Sequence, residues 1–67
     1  MTIETSQYQF AHGKTPRGTG RWAFDLRRHG QQSTVFAPGM MSLSEAKRWV
    51  LQEARRLGDV TSIQVAP

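Results

Sequence analysis

RWAFDLR, residues 21–27, alternates polar and apolar side chains with a period of two, which is typical of a β-strand that buries one face. The apolar side chains of this run are Trp22, Phe24 and Leu26. The pair His29-Gly30 suits a two-residue type I′ turn, and residues 31–37, QQSTVFA, supply a returning strand. This stretch therefore predicts a β-hairpin with one apolar, buried face and one charged face.

A helical pattern follows the hairpin. Ser42-Leu43-Ser44-Glu45 is a capping-box sequence, in which the first and last side chains satisfy backbone amides at a helix N-terminus. Apolar residues then recur at spacings of three and four along one stripe: Leu43, Ala46, Val50, Ala54 and Leu57. Gly58 is suited to a left-handed cap. These features predict a helix over residues 43–57.

Two more alternating segments complete the predicted fold, QYQFA at residues 7–11 and DVTSIQVA at residues 59–66. The order β-β-β-α-β predicts a small two-layer α+β domain, a mostly antiparallel sheet with one helix packed on one face. We expect the last strand to run parallel to a neighbour, either the first or the third strand. The first strand is the favoured neighbour because that pairing would bury Ile63 and Val65 beside Tyr8 and Phe10. Residues 1–6 are expected to be a disordered N-terminus, and residues 7–67 a single domain.

Composition narrows the classes of function. The chain of 67 residues has no cysteine, which excludes a disulfide and a thiolate zinc site. Its two histidines and five carboxylates show no metal-ligand spacing, and no serine lies in a nucleophile-elbow context. Residues 1–5 have neither the positive charge nor the apolar run of a secretory signal, and no stretch approaches the apolar length of a membrane span, so we expect neither feature. We expect a cytoplasmic protein that is not an enzyme, with no metal, cofactor, small-molecule substrate or membrane partner.

Positive charge is concentrated in one part of the chain. The net charge is +4, and residues 13–30 contain five cations against the single carboxylate of Asp25. The loop that opens this stretch, HGKTPRGTGR at residues 12–21, is also rich in glycine. The first hypothesis is therefore a non-catalytic nucleic-acid-binding domain that contacts DNA or RNA through its basic hairpin and sheet face. Its candidate contact residues are Lys14, Arg17, Arg21, Arg27 and Arg28.

The alternative is a small protein-interaction or regulatory module with no role in nucleic-acid binding. One form of this alternative is a homodimer. Two tryptophans in so short a chain favour it, since Trp is enriched at binding hot spots, and a free strand edge would accept a partner strand. The sequence leaves open the oligomeric state and the register of strand 31–37. If Val35 faces the core, Phe36 points outward and offers a stacking platform for an unpaired base.

Overall fold

The computed structural model describes residues 2–67, which form two helices and six strands. The α+β class is as predicted, whereas the sequence predicted one helix and four strands. Their bounds, in chain order, are β1 Ile3–Glu4, α1 Ser6–His12, β2 Thr19–Gly20, β3 Ala23–Arg28, β4 Gln31–Phe36, β5 Met41–Ser42, α2 Leu43–Leu57 and β6 Val60–Val65. Four strands form the main sheet in the order β1-β6-β3-β4, and β2 and β5 form a separate two-stranded ribbon.

The predicted hairpin is confirmed. β3 and β4 pair antiparallel from Ala23 opposite Phe36 to Arg28 opposite Gln31. His29 and Gly30 both have positive φ, at 50° and 77°, as a type I′ turn requires.

The pairing also settles the register of β4. Val35 lies opposite the fully buried Phe24 and packs against the core. Phe36 therefore points to the other face of the sheet, where it is 65% exposed.

The helix over residues 43–57 is confirmed at both ends. The Ser42 hydroxyl accepts a hydrogen bond from the Glu45 amide at 3.2 Å and donates one to the Glu45 carboxylate at 3.1 Å. At the other end Gly58 donates its N–H to the carbonyl of Ala54 at a φ of 79°, although its ψ of 155° lies outside the left-handed helical region. The stripe of α2 buries its small and branched residues against the sheet: Ala46, Val50 and Ala54.

The strand predicted at residues 7–11 is wrong, because this segment lies within helix α1. A five-residue alternation is too short to distinguish a strand from a helical turn. Successive residues in a helix are rotated by about 100°, so Tyr8 and Phe10 point in nearly opposite directions. Tyr8 packs against the core, whereas Phe10 is 94% exposed. The helix ends at His12 and is capped by Gly13, which has a φ of 68° and donates its N–H to the carbonyl of Gln9 at 2.8 Å.

The predicted pairing of the last strand is also wrong. β6 lies inside the sheet and runs antiparallel to β3, with Leu26 opposite Ile63 and Phe24 opposite Val65. Since β4 is also antiparallel to β3, α2 connects two parallel strands that have β3 between them. The reason is burial: β6 contributes Ile63 and Val65 to the core and so pairs with β3, whose Phe24 and Leu26 are also fully buried.

The parallel neighbour of β6 is β1, where Ile3 lies opposite Ile63. This strand and the first residue of α1 fall within the segment 1–6 that was expected to be disordered. Met1 lies outside the described residues.

Candidate functional site

The sheet face turned away from α2, called the open face, is not a basic surface. The strand registers place these side chains on it: Glu4, Ala23, Asp25, Arg27, Gln32, Thr34, Phe36, Ser62 and Gln64. Arg27 is the only cation of this set and stands against two carboxylates. Its Nη2 lies 3.5 Å from Oε1 of Gln32, at the limit of a hydrogen bond. The open face therefore carries no excess of positive charge.

Asp25 is the one charged side chain of the open face that is buried, at 8% exposure. The Thr34 hydroxyl donates a hydrogen bond of 2.6 Å to its Oδ1 from the neighbouring strand. This short bond to a carboxylate joins β3 and β4 and stabilises the buried charge.

Arg28 lies on the other side of the sheet, where it caps α2. Its Nε donates to the carbonyl of Gly58 at 2.9 Å and its Nη2 to the carbonyl of Leu57 at 3.0 Å. These carbonyls belong to the end of the helix, where backbone acceptors lack intrahelical partners and the helix dipole favours a cation. The sequence already indicated this orientation, because Arg28 follows Phe24 and Leu26 at intervals of two and therefore lies on the same side of the strand.

Beside this cap, His29 and Asp59 approach each other, with Nε2 3.4 Å from Oδ2. Both side chains are exposed, and both residues have positive φ in adjacent turns. The pair would become an ion pair only when the imidazole is protonated, and exposed pairs of this kind contribute little to stability.

The loop at residues 13–22, called the basic loop, is held against the body of the protein. β2 within it pairs with β5, with Gly20 opposite Met41. The carbonyl of Gly18 accepts from the amide of Leu43 at 3.1 Å, and the carbonyl of Trp22 accepts from the amide of Ala37 at 2.9 Å. The loop is therefore anchored along its second half.

Its three cations are exposed: Lys14, Arg17 and Arg21. None of them forms an ion pair or a side-chain hydrogen bond with another residue in the described part of the chain. Residues 13–22 also contain no carboxylate. The cations of the basic loop are thus free to meet an anion from outside, unlike Arg28.

Two of these cations share a cleft with aromatic rings. The cleft has a volume of about 460 Å³ and lies where β3 begins and β4 and β6 end. The side chains that give it its chemistry are Tyr8, His12, Arg17, Arg21, Trp22 and Phe36, and we call it the aromatic cleft. Lys14 lies in the same loop but does not line the cleft.

Three rings of the aromatic cleft form a chain of contacts. Tyr8 and His12, one helical turn apart on α1, stack with ring centroids 4.2 Å apart and planes inclined by 24°. The Tyr8 ring also contacts Trp22 at a centroid distance of 5.8 Å. Trp22 is 8% exposed, and its buried Nε1 has no hydrogen-bond partner within residues 2–67. A buried unpaired donor is costly, so this N–H offsets part of the stabilisation that burial of the indole in the core provides.

Of the five cations named from the sequence, the structure brings Arg17 and Arg21 together at the aromatic cleft. It places Lys14 nearby in the chain, Arg27 on the open face and Arg28 at the end of α2. Sequence reasoning missed Tyr8 as a member of the site because it assigned residues 7–11 to a strand. It missed His12 because it placed this residue in the glycine-rich loop, whereas His12 is the last residue of α1.

Other kinds of site receive no support in residues 2–67. Within these residues, no group of three or more His, Cys, Asp or Glu side chains is placed to hold a metal ion. Neither helix has the length and apolar character needed to cross a lipid bilayer. Comparisons of the chain with protein-family models, curated proteins and solved structures found no significant match.

Proposed function

We propose that this protein is a cytoplasmic, non-catalytic nucleic-acid-binding domain that contacts phosphates through the basic loop rather than through the sheet face. The observation that carries the proposal is the exposure of Lys14, Arg17 and Arg21 without any acidic partner in the described residues. Arg27 lies on the open face, toward the other end of β3, and is not part of this loop. Arg28 is assigned to the end of α2 instead.

The chemistry of phosphate recognition supports this assignment. Phosphate contacts are made chiefly by Arg and Lys side chains and supply most of the non-specific affinity for nucleic acid. A loop that is already anchored loses less conformational entropy on binding than a free one. The ribbon of β2 and β5 and the bond from Leu43 to Gly18 provide that anchoring.

The test is a titration of fluorescently labelled single-stranded and duplex oligonucleotides by fluorescence anisotropy at several salt concentrations. If the three cations each pair with a phosphate, the logarithm of the binding constant falls against the logarithm of salt with a slope of about −2 for single strands. The corresponding slope for duplex DNA is about −2.7.

Charge reversal identifies the surface. The double variant Arg17→Glu/Arg21→Glu is expected to lose binding while keeping the circular dichroism of the folded protein. Arg48→Glu/Arg55→Glu is the matched control, because it makes the same change in net charge at exposed positions of α2. Equal losses in the two variants, or no salt-dependent binding by the unmodified protein, would refute the proposal.

A specific observation favours a second candidate function, homodimerisation through the edge of the main sheet. Among residues 2–67, β4 pairs only with β3, so its other edge is free there along six residues that contain neither a charge nor a proline. Soluble proteins usually protect an edge strand with charged residues or proline, and β4 has neither. An uncharged strand can pair with a copy of itself without repulsion. Phe36 at the end of β4 and Met40 beyond it are also exposed, at 65% and 73%.

The proposed partner of this edge is a second copy of the chain. Sedimentation equilibrium is expected to show a dimer that Ser33→Lys dissociates, since the substitution places a cation on the edge strand. Ser44→Lys, on the exposed side of α2, is the control and should leave the dimer intact. A protein that stays monomeric at the highest soluble concentration would exclude this function.

A further inference from the structure

We infer that the aromatic cleft is a binding site for an unpaired nucleotide, so that the protein binds single-stranded nucleic acid in preference to duplex. This inference rests on the proposed nucleic-acid function and adds the class of ligand. Its basis is that cationic and aromatic side chains line the same cleft, with Arg17 and Arg21 beside Tyr8, His12 and Phe36. A nucleotide presents the matching pair of groups, a phosphate and a flat base.

Phe36 is the ring best placed to meet a base. It lies on the open face at the end of β4, opposite Ala23, and it is 65% exposed. Alanine leaves space beside the phenyl ring, since it presents only a methyl group across the strand pair. Single-strand-binding proteins stack bases on exposed aromatic rings in grooves that also carry cations, and Phe36 shares its cleft with Arg17 and Arg21.

The cleft also has a second aromatic surface, formed by Tyr8 and His12. His12 is exposed and stacks on Tyr8, which in turn contacts the buried Trp22. This contact chain holds the imidazole against the protein core. A base that stacks on His12 would extend an aromatic stack that already exists, without ordering a mobile side chain.

The size of the cleft agrees with a ligand of this class. Its volume of about 460 Å³ falls within the range of ordinary small-ligand pockets. Arg17 and Arg21 come from the basic loop, whose anchoring to β5 and α2 fixes the side of the cleft on which a phosphate would lie.

Preference for single strands follows from the geometry of the ligand. In a duplex the faces of the bases are stacked on each other and cannot contact Phe36 or His12. Duplex DNA would gain only the phosphate contacts of the basic loop. Stacking on an aromatic side chain is worth about 1–3 kcal/mol per base, which corresponds to a factor of about 5 to 150 in affinity.

The experiment measures binding of labelled oligothymidylate, its duplex with oligoadenylate, and an abasic oligonucleotide of the same length. Phe36→Ala is expected to weaken oligothymidylate binding at least about fivefold and to leave the duplex and the abasic strand unchanged. Phe10→Ala is the matched control, because this phenylalanine is 94% exposed and does not line the cleft. It should leave all three affinities unchanged.

A second readout follows the cleft directly. In a Trp49→Phe background, Trp22 is the only tryptophan, and its fluorescence is expected to change on addition of oligothymidylate but not of the abasic strand. This measurement does not depend on the stability of the Phe36 variant.

The outcomes separate the inference from the function on which it rests. If duplex binds as tightly as oligothymidylate, or if Phe36→Ala and Phe10→Ala have equal effects, the inference is overturned while salt-dependent binding still supports the proposed function. If none of the three ligands shows salt-dependent binding, both are overturned.

Discussion

Replacement of Arg28 by methionine tests whether this cation belongs to the fold or to a binding surface. Methionine keeps most of the aliphatic length of the side chain and removes the guanidinium, which donates hydrogen bonds of 2.9 and 3.0 Å to the carbonyls of Gly58 and Leu57. The side chain is partly buried, so solvent screens these bonds less than it would at an exposed site. The substitution therefore removes the cap of α2.

The magnitude follows from these two bonds. A hydrogen bond that involves a charged group contributes about 1.5–3 kcal/mol. Water can reach the freed carbonyls in part, because Leu57 and Gly58 are only half-buried, and we therefore expect a total loss of about 2–3 kcal/mol. A domain of this size has a free energy of unfolding of about 3–10 kcal/mol. The melting temperature should accordingly fall by about 10–20 °C.

Urea denaturation followed by circular dichroism measures this loss, and amide hydrogen exchange in the last turn of α2 shows whether the helix end is the part that opens. Arg27→Met is the matched control on the same strand, because Arg27 is exposed and makes only a marginal contact with Gln32. Its effect should be below about 0.5 kcal/mol. Equal stabilities for the two variants would refute the capping role. If Arg28→Met has normal stability but loses nucleic-acid binding, Arg28 contacts the nucleic acid rather than capping α2.

Three smaller perturbations test other contacts. Ser42→Ala removes the N-terminal cap of α2 and should lower the free energy of unfolding by about 1 kcal/mol in urea denaturation. Thr34→Val keeps the shape of the side chain but removes the hydroxyl that donates to the buried Asp25, and should cost about 1.5–3 kcal/mol in the same assay. The Arg56 guanidinium, by hydrogen bonding and then by its charge, lowers the pKa of Glu53. The stabilisation from a lowered pKa is present above the unfolded-state pKa and is lost as pH falls through the folded-state value. The melting temperature of the unmodified protein should therefore be higher than that of Glu53→Gln at neutral pH, and the difference should shrink in acid.

Each of these predictions has an outcome that would contradict it. Ser44→Ala is the control for the cap, and a loss as large as that of Ser42→Ala would mean that hydroxyl removal in general, rather than capping, is responsible. For the strand contact, Asp25→Asn in the Thr34→Val background should cost less than in the unmodified protein, and strictly additive effects would argue against the bond. For Glu53, a difference in melting temperature between the two proteins that stays constant from neutral to acidic pH would exclude the ionised carboxylate as the source of that difference.

Local patterns in the sequence were sufficient for the hairpin and for α2. The bounds 43–57 follow from a capping box, an apolar stripe and a glycine, all of which act within one or two helical turns. The turn at residues 29–30 is similarly local, because it depends on the φ angles of two neighbouring residues. These elements could be predicted because the interactions that define them are close in sequence.

Pairing and assembly depended on contacts that are distant in sequence. Residues 7–11 fit either a strand or a helix, and packing of Tyr8 against the core accompanies the helical form. The position of β6 beside β3 depends on burying Ile63 and Val65 against Phe24 and Leu26, which no local pattern specifies.

The sequence by itself determined the α+β class, the main helix, the hairpin and the cluster of cations in residues 13–30. The tertiary structure alone decided what those cations do, since Arg28 caps a helix that begins fifteen residues after it in the chain, at Leu43, whereas Arg17 and Arg21 line a cleft. It also brought Tyr8 and Phe36, which are distant in sequence, into the same cleft. The physical reason is that charge and periodicity are properties of the chain, while the partners of a side chain depend on which distant surfaces the core brings together.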